Sequence, residues 1–517
     1  MNNSFQDQMP RYTRLHTILA ALSLLLAVCV LALNWKAILA EVRDWSLVRS
    51  TATMVLNYAL PWYYNLNQGP VVTQLYAPLS FLSFFPLVLF QKPYDIFLAG
   101  TLIAACLCFL PLGYLLYLSF RERKADAIVC FAICLVGSIA LRPLRYSFFS
   151  IHADAPATLF MLLAIGFATF KNKPGLLLFS SLCAVCAPLA KQTFVWLPLG
   201  VLWWVQYSSG WKTTVRYARA LVFSSALLGV LFIAIYGFEP LLANLVLIPG
   251  KHPFRQVEWR PTMAFILLAC VLVSFLAILS RGFAKRTQTL NQIAMLCLFC
   301  SIASLPLNIY STCKVYGDVN NLSSTYVLSL VGILLLLPER LATWRALENK
   351  QLILRLGAFV LLSPGFLLWT KPSGWEDDTR TRFSAIESAS QYIRRHPGEY
   401  YFPNSPLIHL LSESKLYHFE PGLKERETYS IYGQIPDNQL YNFIPERTRC
   451  VCYYKDFSKR DEPIGIEYDT LAERYLRQSN LKWDVSTENW GWFCQKSAAD
   501  SVPCTINMQQ YRKAHSK

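Results

Sequence analysis

About eleven apolar stretches, divided by short polar connections, decide most of what this chain can fold into. They lie near 15–34, 94–118, 126–144, 154–170, 175–189, 192–207, 217–236, 262–280, 290–309, 324–338 and 352–370. A helix needs roughly 20 apolar residues to cross the hydrocarbon core of a bilayer. A water-soluble core cannot hide so much apolar surface. Charged residues are only 15% of the chain, whereas a soluble domain carries about 25%. The pattern predicts a polytopic α-helical membrane protein of about eleven transmembrane helices. The first stretch, Leu15 to Leu33, lacks a small-residue cleavage site, so it reads as a span and not as a removable signal. The stretch 71–90 is also apolar but is broken by Pro70, Pro78 and Pro86. It reads as re-entrant or lying along the membrane surface, with a full span as the alternative.

Charge tests this layout. The net charge is +16, but the basic residues sit in short clusters between apolar stretches and form no nucleic-acid motif. Nucleic acid is therefore excluded as a partner. With Arg11 and Arg14 placed in the cytoplasm, Arg121–Lys124, Lys171–Lys173, Lys212–Arg219, Arg281–Arg286 and Arg340–Lys350 fall on the same side. Basic connections belong on the cytoplasmic face. The opposite side then receives 35–93, 145–153, 190–191, 237–261, 310–323 and 371–517. A full crossing by 71–90 would invert the bias for every later connection.

From Lys371 the composition turns polar and no further spanning stretch follows. The chain divides accordingly into a membrane part, 1–370, and a soluble extracytoplasmic part, 371–517, large enough for one small α/β domain. Ser384–Arg395 has the pattern of an amphipathic helix and Cys450–Tyr454 that of a strand. Most of the 15 cysteines lie inside apolar stretches, where they read as small buried hydrophobes. Cys450, Cys452, Cys494 and Cys504 lie in the polar region. On an oxidising side they can form disulfides, Cys450 or Cys452 with Cys494 or Cys504. Zinc is the alternative, although the spacing is a poor zinc pattern.

Four places on the outer side carry polar groups at membrane boundaries, where such groups are expensive. Glu41 and Asp44, spaced i and i+3, share one helical face just after the first span; a solvated loop start with an Arg43 ion pair is the plain reading. Asp154, in His152-Ala-Asp154-Ala-Pro156, heads an apolar helix, where favouring the helix dipole is the plain reading. His152 beside it can ligate a metal or contact phosphate. Lys191, in Lys191-Gln192-Thr193, runs against the charge bias and wants an anionic partner; reaching to lipid headgroups is the plain reading. Lys314, Asp318 and Asn320 form a polar approach to the next span, suited to sugar hydroxyls or phosphates, or simply to capping. Arg255 and Arg260, with Lys251 and His252, form a possible anion-binding cluster in 237–261.

These motifs resemble the GT-C superfamily of membrane glycosyltransferases. The pattern is similar to dolichyl-phosphate-dependent protein mannosyltransferases and the lipid A aminoarabinose transferase. The likeness rests on the acidic residues of the first outer loop and on its Pro/Tyr-rich stretch Leu60-Pro-Trp-Tyr-Tyr-Asn-Leu-Asn-Gln-Gly-Pro70 and Leu75-Tyr76-Ala-Pro78. It rests also on Asp154 at the mouth of a later span, on Lys191-Gln192-Thr193 and on Gly317-Asp318-Val-Asn320. In this sequence Glu41 and Asp44 are separated, whereas well-known members often have adjacent acidic residues. The resemblance implies a GT-C-like fold and inverting transfer of a sugar from a polyprenyl-phosphate donor to a lipid, glycan or protein acceptor at the outer face. It implies Asp44 as general base with Glu41 second, Asp154 as an orienting group, and Lys191, Arg255 and Arg260 on the leaving phosphate. His152, Gln192, Tyr76, Lys314, Asp318 and Asn320 would contact substrate. Members differ in metal use, so no metal ligand is assigned and a divalent metal stays open. A bacterial inner or plasma membrane is the expected location. The rival reading is a transporter or flippase; a membrane-anchored assembly protein is a third.

Overall fold

The computed structural model describes residues 9–65, 68–72, 75–120, 124–170, 173–254, 259–281, 289–315, 317–343, 376–429, 435–436, 441–445, 447–448, 450–454 and 492–496. The chain divides into two compact units, each gathered from distant stretches. The first comprises Met1–Val42, Leu102–Gly229 and Phe254–Ser373, and the second Arg43–Thr101, Val230–Pro253 and Gly374–Lys517.

The first unit is helical: α1 (Met9–Met54), α2 (Pro93–Ser119), α3 (Lys124–Ala140), α4 (Arg142–Phe149), α5 (Asp154–Ala168), α6 (Pro174–Ala190), α7 (Trp196–Tyr236), α8 (Trp259–Ser280), α9 (Thr289–Thr312) and α10 (Ser323–Thr343). Parts of α1, α2 and α7 belong to the second unit. Among the described residues six helical stretches are long and apolar enough to cross a membrane, or seven if α3 and α4 count as one bent span. Helices α5 and α6 are apolar but shorter, at 15 and 17 residues. Leu25 and Leu33 on α1, Val222 and Phe223 on α7, and Leu267 and Val271 on α8 stay largely exposed. Apolar exposure on this scale is costly in water and natural against lipid. The expected span 352–370 lies outside the described residues.

Local chemistry explains where helices break. Pro143 cannot donate to the carbonyl four residues earlier, that of Ile139, and its ring crowds it. The chain bends by 99° there, from α3 into α4, and Arg145 Nη1 takes up the Ile139 carbonyl at 3.3 Å. In α7 the helical path is interrupted at Gly210, with φ 74° and ψ −178°, a conformation that a side chain would strain. That break separates the two expected spans 192–207 and 217–236.

Two expectations need correction. The first outer segment does not begin as a loop at residue 35, because α1 continues unbroken to Met54 and includes the backbone of Glu41 and Asp44. No residue between Leu15 and Met54 is a Gly or Pro that would stop it. The connection 145–153 is likewise part helix, since α4 runs to Phe149. Gln192–Phe194 form a 3-10 turn at the head of the apolar stretch Gln192–Tyr236, which agrees with a span starting at 192.

In the second unit, the described part of 71–90 holds only the short helix Leu79–Leu82 and the 3-10 turn Phe85–Leu89. The C-terminal stretch adds α11 (Glu376–Arg395), β1 (Tyr400–Tyr401), α12 (Pro406–Glu413), α13 (Glu420–Tyr429), β2 (Cys450–Tyr454) and β3 (Trp492–Lys496). The sheet order is β1-β2-β3, parallel then antiparallel. The expected helix 384–395 falls inside α11, and the expected strand coincides with β2. Val71 of the first loop is tied to this stretch twice: its N–H donates to His418 Nδ1 at 2.8 Å and its carbonyl accepts from Phe419 N at 2.9 Å. Buried His409 accepts the Phe402 N–H on Nε2, so its proton sits on Nδ1 and points to Glu413 Oε2 at 2.9 Å.

Candidate functional site

The first unit brings three sequence-distant motifs onto one carboxylate. Lys191 Nζ lies 2.6 Å from Asp154 Oδ1. Asn320 Nδ2 donates to Asp154 Oδ2 at 2.7 Å, and His152 Nδ1 lies 2.6 Å from the same oxygen. All four side chains are buried: 0% of Asp154 is exposed, 1% of Lys191, 2% of His152 and 5% of Asn320.

Helix ends set this geometry. Asp154 is the first residue of α5, after Ala153 at the cap position, which offers no side-chain cap. Pro188 lies inside α6, which continues to Ala190, and three residues after the proline the chain turns extended at Lys191, with φ −140° and ψ 113°. Asn320 belongs to the 3-10 turn Val319–Leu322 that leads into α10. Asp318 caps this turn by accepting the Val319 N–H at 2.7 Å. Gly317 is needed just before it, because a Cβ there would lie 2.2 Å from the Ser311 carbonyl oxygen.

Electrostatics fixes what Asp154 can do. An isolated buried charge is expensive, and the desolvation is offset only by a close counter-charge with further hydrogen bonds. Lys191 supplies the charge; His152 and Asn320 supply the bonds. The His152 Nδ1 is also 3.3 Å from the Asp154 backbone N–H. One nitrogen cannot donate and accept at once, and the shorter contact to the carboxylate places the proton on Nδ1. Three donors on one carboxylate leave it poorly suited to abstract a substrate proton and suited to hold Lys191 in place. They also surround it with positive hydrogen atoms, which does not fit a divalent cation. Among the described residues no three His, Cys, Asp or Glu side chains gather as metal ligands.

Around this core lies a more accessible rim. Arg142, at the start of α4, approaches Asp318 Oδ2 at 3.6 Å, both about half exposed. Tyr146 packs its ring 5.5 Å from that of His152. Lys314 Nζ sits 4.8 Å from the Tyr310 ring centre. Gln192 is half-buried in the 3-10 turn after Lys191. Arg142 was missed as a site residue because it fell inside the expected span 126–144, where Pro143 was the available signal for the break; Tyr146 lay in the expected outer connection 145–153 but was not singled out.

Asp44 and Tyr76 belong to the second unit, where the Tyr76 carbonyl accepts the Tyr63 hydroxyl at 2.5 Å. Glu41 and Asp44 are described only as backbone in α1, and Arg260 only as backbone in α8. Arg255 lies outside the described residues.

A second polar feature escaped the sequence reading. Between α9 and α10, Asn308 Nδ2 donates to Ser324 Oγ and Thr325 Oγ1, both at 2.8 Å. Ser304 Oγ meets Thr325 Oγ1 at 2.7 Å, and Ser329 Oγ donates to Ser301 Oγ at 3.3 Å. These residues are fully buried. Their signal was the spacing Ser301, Ser304 and Asn308 on one helical face, hidden within an apolar stretch.

Set against known proteins, the chain matches no protein-family model and no curated protein.

Proposed function

We propose that this chain is a membrane glycosyltransferase of the GT-C kind, moving a sugar from a polyprenyl-phosphate donor to a lipid, glycan or protein acceptor. The observation that carries this reading is the meeting of His152, Lys191 and Asn320 on Asp154. All four lie at helix ends and not in mid-span, where chemistry on a lipid-borne headgroup would take place. The basic connections support a cytoplasmic N-terminus and put this mouth and the C-terminal stretch outside. On this reading the fold has about eleven spans and a small α/β domain after them.

Asp44, with Glu41 second, takes the acceptor hydroxyl proton as that oxygen attacks the anomeric carbon with inversion. Lys191 supplies positive charge to the departing lipid phosphate, with Arg255 and Arg260 as further cations. Asp154 acts through Lys191 as a positioning residue. His152, Gln192, Lys314, Asp318, Asn320 and Tyr76 contact substrate or shape its approach. No step is assigned to a metal, because the donors on Asp154 do not suit one.

The buried hydroxyl and amide seam between α9 and α10 favours a second reading, transport of a polar or lipid-linked substrate, since polar groups within the membrane often mark pathways. Mass spectrometry of envelope glycans from cells with and without the intact gene separates the two. Transfer predicts a missing sugar that returns with the wild-type chain and not with a folded, inserted Asp44→Ala variant. Unchanged glycans without the gene, or full transfer by Asp44→Ala, would overturn the assignment.

A further inference from the structure

Strand register singles out a covalent link outside the candidate site. In the antiparallel pair β2–β3, Cys450 stands opposite Lys496, Val451 opposite Gln495, and Cys452 directly opposite Cys494. Directly opposed residues in an antiparallel ladder have Cα atoms about 4.5 or 5.5 Å apart. Both values fall within the roughly 4.4–6.8 Å that a disulfide spans. Diagonal neighbours such as Cys450 and Cys494 are roughly 7–8 Å apart, beyond it.

We propose that Cys452 and Cys494 form a disulfide that staples β2 to β3. Of the cysteine pairings that the sequence leaves open, the register favours this one and gives Cys450 a lysine as its opposite. The cysteines of the apolar helices are free thiols among the described residues, and Cys504 lies outside those residues. The sheet belongs to the stretch that the charge bias assigns to the outer, oxidising side. The two thiols lose two protons and two electrons as the S–S bond forms. The electrons pass, through a mixed disulfide, to the disulfide of a thiol–disulfide oxidant, which leaves as a dithiol. This inference is independent of sugar transfer and depends only on the compartment.

The test is peptide mapping of the full chain purified from membranes, alkylated with N-ethylmaleimide before digestion without reductant. The expected result is one cross-linked peptide pair holding Cys452 and Cys494, lost on reduction and retained in Cys450→Ser. Alkylated Cys452 and Cys494 in wild-type protein would overturn the proposal, as would a bridge from Cys494 to Cys450 or Cys504. Protection from alkylation that a zinc chelator removes would overturn it in favour of a metal site. Because the mapping uses wild-type protein, a folding defect in any variant cannot obscure the answer. Glycan analysis of the same cells reads sugar transfer separately.

Discussion

The Lys191 ammonium and the Asp154 carboxylate, 37 positions apart in sequence, meet at 2.6 Å with both side chains buried. Such a pair is poor evidence for stability in itself, because desolvating two ions costs about what their attraction returns. Removing one partner is another matter. Lys191→Met should destabilise the membrane part by about 3–5 kcal/mol, as an uncompensated carboxylate remains. Asp154→Asn combined with Lys191→Met should recover most of that loss. Thermal unfolding in detergent, followed by size exclusion, measures both. If Lys191→Met alone proves neutral, the pair does not exist in the folded protein.

Asn320 adds a neutral donor to the same carboxylate. Asn320→Ala should cost about 1–3 kcal/mol, the usual penalty for a buried acceptor losing its partner. Asn320→Asp should cost more, since it turns an attraction into a repulsion between two carboxylates. The order of the two melting temperatures is the readout, and a more stable Asn320→Asp would contradict the geometry.

Gly317 allows the connection after α9 to fold back on the end of that helix. Gly317→Ala puts a carbon 2.2 Å from the Ser311 carbonyl oxygen, so the backbone must shift. The expected cost is about 1–3 kcal/mol, together with displacement of Asp318 and Asn320. Gly229→Ala, in α7, is the control. It meets no neighbour within 4 Å and its φ is not positive. The control should therefore melt nearer to wild type.

Burial pushes the Glu425 carboxyl on α13 up to about 8. Its folded value lies above its unfolded value near 4.5, so the folded state holds the proton over a range where the unfolded state has released it. Stability from this group is fully present below pH 4.5 and is lost as pH rises through about 8. Glu425→Gln should flatten that decline and raise the melting temperature at pH 8 more than at pH 5. Equal effects at both values would show that Glu425 titrates normally.

Membrane orientation is open to a direct test. In a background lacking other reactive cysteines, Lys124→Cys should be labelled only from the cytoplasmic side and Lys415→Cys, which is exposed, only from outside. The reverse pattern would invert the topology and remove the basis for an oxidised Cys452–Cys494 pair.

The apolar runs determined on their own that this chain forms long helices of membrane type, because hydrophobic length is a local property and needs no partner. Pro and Gly marked most breaks in the same local way, as Pro143 and Gly210 do. The four polar motifs were also visible as residues out of place, since a lysine or carboxylate at an apolar boundary is conspicuous wherever it lies. Their common purpose was not visible. Asp154, Lys191 and Asn320 are separated by 37 and 166 positions from one another's partner, and no spacing rule relates them. Only the packing of α5 beside α6 and of the turn before α10 makes the Asp154 carboxylate the acceptor for both Lys191 and Asn320. The same holds for the seam between α9 and α10, whose serines and threonines read as ordinary members of apolar runs until the helices meet. Sequence set the solvent and the segments; tertiary structure decided the pairs, because a buried charge finds its partner through packing and not through distance along the chain.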